Sequence, residues 1–155
     1  MDRSTTTRNY LTLVATAAAA FTLTSLVSRP APARAADDPK GVAFFEEKIR
    51  PILAQNCVGC HGEEKHKGDL RLDTRENLLK GGKDDNDKPI KVVELGNPEK
   101  SPLIEAVEYK NEDIQMPPPK KKVSQKLPDD KIAALKEWVK MGAPYGEKPV
   151  MAEKK

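Results

Sequence analysis

The chain has 155 residues, with 27 Lys and Arg against 24 Asp and Glu and a formal charge of +3. The excess sits in residues 1–35, where Arg3, Arg8, Arg29 and Arg34 face Asp2 alone, so the rest carries 23 basic and 23 acidic side chains. That balance excludes a global electrostatic pull towards nucleic acid. Aromatic residues make up only 5% of the chain, which implies a thin core unless apolar mass comes from outside.

The N-terminus places Arg3 and Arg8 before an uncharged run from Asn9 to Ser28 and closes on Ala33-Arg34-Ala35. This three-part plan is that of a secretory signal peptide over residues 1–35, cleaved after Ala35, and it predicts a periplasmic or otherwise exported protein. The rival is an uncleaved anchor, but Thr12, Thr16, Thr22, Thr24 and Ser25 dilute the run. A stable span wants about 20 predominantly apolar residues, so no stable membrane anchor is expected after cleavage. No cysteine lies in the segment, which excludes a lipid-anchored cysteine at the cleavage site.

Residues 36–155 are predicted to form one domain, compact over 41–146; a chain of about 120 residues hides somewhat under 70% of its extended surface. The stretch GVAFFEEKIRPILAQN sets Phe45, Ile49, Ile52 and Leu53 on one helical stripe, and Pro51 within it predicts a kink or a restart. Pro89 to Leu95 is the one candidate strand. Ser101-Pro102 opens a short helix through about Tyr109, Ser suiting the cap and Pro the first turn. The stretch LPDDKIAALKEWVKMGAP is the clearest helix, with Asp129 and Asp130 at its start, Ile132, Leu135, Trp138 and Val139 at helical spacing, and Gly142 and Pro144 as its stop. The tail GEKPVMAEKK is expected to fray.

The two cysteines, Cys57 and Cys60, stand in AQNCVGCHG, and one of the two histidines follows as His61. Zinc, a redox disulfide and covalent haem compete for such a motif. A structural zinc site wants four ligands in two separated pairs, and Cys57, Cys60, His61 and His66 leave no spacer between pairs. A thioredoxin-like pair begins a helix after a strand, whereas Cys57 ends a helix; a plain structural disulfide is the simplest alternative. Haem attachment accounts for more of the residues. Sulfurs three residues apart meet one edge of the macrocycle and form thioethers with its vinyl groups, and His61 can then ligate the iron from one face.

A methionine at the sixth iron position gives a closed site suited to electron transfer, whereas an open position admits peroxide or small gases. Of Met116, Met141 and Met151, Met116 is the candidate: it stands in DIQMPPPKKK, where Pro117, Pro118 and Pro119 restrict the backbone. Met141 reads as a helix-end packing residue and Met151 lies in the tail. His66 would have to reach the opposite haem face from a short loop and reads as a solvated side chain.

The segments FFEEKIRPILAQNCVGCHG, KGDLRLDTRENLLKGG, VELGNPEKSPLIEAV, MPP and LPDDKIAALKEWVKMGAP, in this order, resemble the planctomycete-type cytochrome c domain, a branch of the class I cytochromes c. The resemblance implies an all-α fold in which N- and C-terminal helices cross beside one haem c, with long irregular loops. It assigns Cys57 and Cys60 to attachment, His61 to the proximal ligand and Met116 to the distal one. The expected function is one-electron transfer by an exported mono-haem protein that is not an enzyme by itself and is a monomer of one domain. Phe45, Leu70 and Trp138 are expected to bury the haem and raise its potential. The alternatives are a haem enzyme or a gas or redox sensor with a labile sixth ligand, an accessory subunit of a larger exported complex, or an interaction module with haem as a structural core. The expected partner is a redox protein; Lys65, Lys67, Lys120, Lys121 and Lys122 offer a positive rim to an acidic one, or are simply a solvated run.

Overall fold

A computed structural model of the chain describes residues 38–121 and 123–153. The signal segment expected over residues 1–35 lies outside the described residues. The order is α1 (Pro39–Phe44), a wide π turn (Phe45–Ile49), α2 (Arg50–Asn56), α3 (Arg75–Lys80), β1 (Gly82–Lys83), β2 (Pro89–Ile90), α4 (Pro102–Glu108) and α5 (Asp129–Lys140), with single 3₁₀ turns between.

The N-terminal helix starts on a carboxylate cap, the Asp38 side chain accepting from the Lys40 N–H at 3.1 Å. It does not restart at Pro51. The Arg50 N–H bonds instead to the Phe45 carbonyl five residues back. Proline has no N–H to give and its ring crowds the carbonyl four residues earlier, so a widened turn relieves the clash without ending the helix. Phe45, Ile49, Ile52 and Leu53 are all buried, as their spacing predicts.

Helix α3 was not anticipated. Thr74 caps it by accepting from the Asn77 N–H at 3.2 Å, and Gly81 ends it at φ +77. Added there, a Cβ would collide with the Ile90 carbonyl, so glycine is required on both conformational and steric grounds. Of the strand expected over Pro89–Leu95 only Pro89–Ile90 forms, paired antiparallel with Gly82–Lys83. Helix α4 follows Ser101, as expected, but that hydroxyl does not cap it: it accepts from the Glu94 N–H and donates to the Asn97 carbonyl. Helix α5 runs Asp129–Lys140, and Gly142 at φ +88 turns the chain away.

The N- and C-terminal helices meet through aromatic packing. Phe45 and Trp138 have no exposed surface, and Tyr145 lies with its ring centroid 4.2 Å from Phe45 and 5.6 Å from Trp138. The core is therefore fuller than the low aromatic content suggests, because Ile, Leu and Val from α2, α3, α4 and α5 complete it. Lys136 joins α5 to the turn before α4 through Glu99 at 2.6 Å, and to α4 itself through Glu108 at 3.2 Å.

The tail expected to fray is pinned instead. The Val150 side chain is 2% exposed and its N–H donates to the Asp73 carbonyl at 2.7 Å. Arg50 donates to the Lys148 and Pro149 carbonyls, and the Glu153 N–H reaches the Ala54 carbonyl at 3.2 Å. The polar composition concealed that one valine inserts into the core and that Arg50 draws the backbone beside it.

Candidate functional site

Helix α2 delivers the cysteines. Its last turn continues past Asn56, the Cys57 and Val58 amides both bonding to the Leu53 carbonyl, and then tightens so that the Cys60 and His61 amides both donate to the Cys57 carbonyl at 3.0 and 2.9 Å. One turn thus carries Cys57, Cys60 and His61. Gly62 closes it, and a Cβ there would run into the Val58 carbonyl. The chain then doubles back: Gly62 donates to the Lys65 carbonyl at 2.7 Å and Lys67 to the Cys60 carbonyl at 3.1 Å, pairing His61 with His66. These flanking bonds make it a non-hydrogen-bonded antiparallel pair, whose side chains project from the same face. His66 therefore stands alongside His61, the arrangement that suits an exposed neighbour.

Two further bonds fix the motif to the body of the domain. The His61 carbonyl accepts from the Leu72 N–H at 2.7 Å, and the Leu72 carbonyl accepts from the Tyr145 hydroxyl at 2.9 Å. Next in sequence, Asp73 is 4% exposed and is held by Arg71 and by the Asn77 amide at 2.8 Å. Burial pushes the Asp73 carboxyl up, but the hydrogen bonds from Arg71 and Asn77 outweigh it and hold it below its ordinary value. Sequence reasoning missed Leu72, Asp73 and Tyr145 as supports, because nothing in their spacing relates residues 61, 72 and 145.

Both thiols are free, Cys57 half-buried and Cys60 exposed. Burial, with a contribution from Cys60, pushes the Cys57 thiol up to about 12. It is neutral at neutral pH and a poor partner for spontaneous thiolate exchange. Burial pushes the His61 imidazole down, opposed by the nearby backbone of Leu70 and Lys67, so the neutral, ligating form is favoured. Its Nδ1 is buried without a hydrogen-bond partner. Two free thiols on one turn and a half-buried imidazole with a buried, unpaired nitrogen fit a haem joined through two thioethers and bound by histidine.

Met116 stands on a separate element, the loop after α4, where its N–H donates to the Ala106 carbonyl at 3.1 Å. Its side chain is 38% exposed. Met141 is the C-cap of α5, and Met151 is exposed in the C-terminal segment. Phe45 and Trp138, expected to bury a haem, are already enclosed by Tyr145 and the aliphatic core, while Leu70 is half-buried at its edge. An open groove of about 820 Å³ is lined by residues of α1, α2 and the 146–153 segment and by none of the motif residues. Lys65, Lys67, Lys120 and Lys121 are exposed; Lys122 lies outside the described residues. Among the described residues, no helix is long and apolar enough to cross a membrane.

No curated protein and no solved structure matches the chain. Residues 57–120 match a family described as Planctomycete cytochrome C, a span that opens on the first cysteine and takes in Met116. Over that span the chain is similar to a planctomycete-type cytochrome c domain, a likeness that points to haem binding and electron transfer.

Proposed function

We propose that the protein is an exported mono-haem carrier in which Cys57 and Cys60 hold the haem, His61 is the proximal iron ligand and Met116 the distal one. The observation that carries this reading is the single turn after α2, which gathers both thiols and an imidazole whose Nδ1 is buried and unpaired. Haem bound there supplies an iron that changes charge by one electron. The chain's own residues do the rest. Cys57 and Cys60 fix the macrocycle edge to α2; the Leu72 bond holds the His61 backbone; Met116 offers a thioether that favours the ferrous form. Exposed Lys65, Lys67, Lys120 and Lys121 would steer an acidic redox partner, with a rate that falls as salt rises.

The partial exposure of Met116 favours a second reading, a gas or redox sensor in which the sixth ligand leaves readily. One comparison separates them. In a carrier, carbon monoxide leaves the ferrous wild-type spectrum unchanged, whereas Met116→Ala opens the sixth position, lowers the reduction potential and admits carbon monoxide; Met141→Leu changes only packing. Ready binding of carbon monoxide by the wild type would favour the sensor. A sulfur-ligated spectrum that survives Met116→Ala and disappears in Met141→Leu would move the ligand to Met141.

A further inference from the structure

We infer that Tyr109 is the positioning residue for the methionine loop: its hydroxyl ties both limbs of that loop to the end of α4 and so sets how firmly Met116 is held. The inference rests on the reading of Met116 as the distal ligand. It begins with a backbone anomaly. Tyr109 ends α4 in the left-handed region, at φ 61 and ψ 29. That is where a helix usually places glycine, because a Cβ is crowded there. A tyrosine in a glycine position needs a reason in its side chain.

Two hydrogen bonds of its hydroxyl supply that reason. The half-buried phenol donates to the Pro117 carbonyl and accepts from the Gln125 N–H at 3.2 Å. Pro117 directly follows Met116, and Gln125 lies on the returning limb. Between them Lys120 and Val123 exchange backbone hydrogen bonds of 3.0 and 2.8 Å, closing the loop into a small hairpin. One oxygen therefore fastens both limbs. Met116 is gripped on its other side by its own N–H, bonded to the Ala106 carbonyl of the same helix end. Helix α4 is itself anchored by buried Ile104 and Val107 and by the Glu108 bond to Lys136.

The consequence follows from the weakness of a thioether as a ligand. A loop already confined loses little freedom when its sulfur binds iron, whereas a loose one surrenders more and yields the position to competitors. The prolines restrict individual torsions; Tyr109 places the whole loop.

Tyr109→Phe keeps the ring and removes one oxygen, and it is tested in the haem-loaded full chain with imidazole as the competing ligand. Imidazole should bind the ferric variant roughly 5- to 30-fold more tightly, the effect of one or two lost hydrogen bonds, and the Gln125 amide should exchange with solvent faster by a similar factor. In a Met116→Ala background, Tyr109→Phe should leave imidazole affinity unchanged, whereas a tyrosine that merely stabilised the fold would shift it there too. Unchanged imidazole affinity in a sulfur-ligated Tyr109→Phe protein overturns the clamp and leaves Met116 in place. A wild-type spectrum that Met116→Ala does not alter overturns the ligand reading and the clamp with it. Should Tyr109→Phe yield no haem-loaded protein, Gln125→Pro, which removes the N–H donor on the far limb, carries the same comparison.

Discussion

Asp73 is the residue on which the support of the motif converges. Its side chain joins Arg71 to Asn77 of α3, and its carbonyl receives the Val150 N–H, one residue from the Leu72 amide that holds His61. Its carboxyl is held below the ordinary aspartate value in the fold, so the stability it contributes is complete above about pH 4 and is lost as pH falls through the lower folded value. Asp73→Asn should therefore be less stable than wild type at neutral pH, and the difference should narrow below about pH 4, as read by denaturant melts across pH. A constant difference down to acid would assign the effect to packing instead. The cysteine–histidine triplet stands out in the sequence because its spacing is local, and the structure sets all three residues on one turn. The bond from Val150 to the Asp73 carbonyl and those of the Tyr109 hydroxyl to Pro117 and Gln125 were not legible in the sequence, because they cross gaps that a linear pattern does not encode.

Helices with periodic apolar residues were readable, and α5 has the expected start at Asp129 and a turn at Gly142. Helix α3 escaped notice because its six residues contribute one buried side chain, Leu78, too few for a period to emerge. Its sequence signals were the terminal ones, the Thr74 cap and the Gly81 stop. Thr74→Ala should cost about 1 kcal/mol, measured by chemical denaturation, and a neutral outcome would mean that tertiary packing alone holds α3. Pro51 was read correctly as an obstacle to a regular helix, but a widened turn is one of several ways round it, and the choice was made by Phe45 and Ile49 both needing to face the core.

The described domain is closed by its own C-terminal segment, which runs back across α1 and α2 from Gly146 to Glu153. Truncation after Gly146 should cost about 3 kcal/mol, chiefly from exposing the Val150 site and freeing the Arg50 guanidinium, whereas a frayed tail would cost almost nothing. Because Ala54 and Asp73 both receive bonds from this segment, its loss should also loosen the approach to the cysteine turn, seen as faster exchange of the Leu72 amide. The central claim concerns the whole molecule more directly still: one haem is joined covalently to this chain through Cys57 and Cys60. The most direct test is the intact mass, under denaturing conditions, of protein exported with haem-maturation machinery present. The account predicts the mass of a polypeptide beginning at Ala36 plus one haem, whereas a bare polypeptide mass from coloured, correctly exported protein would contradict it.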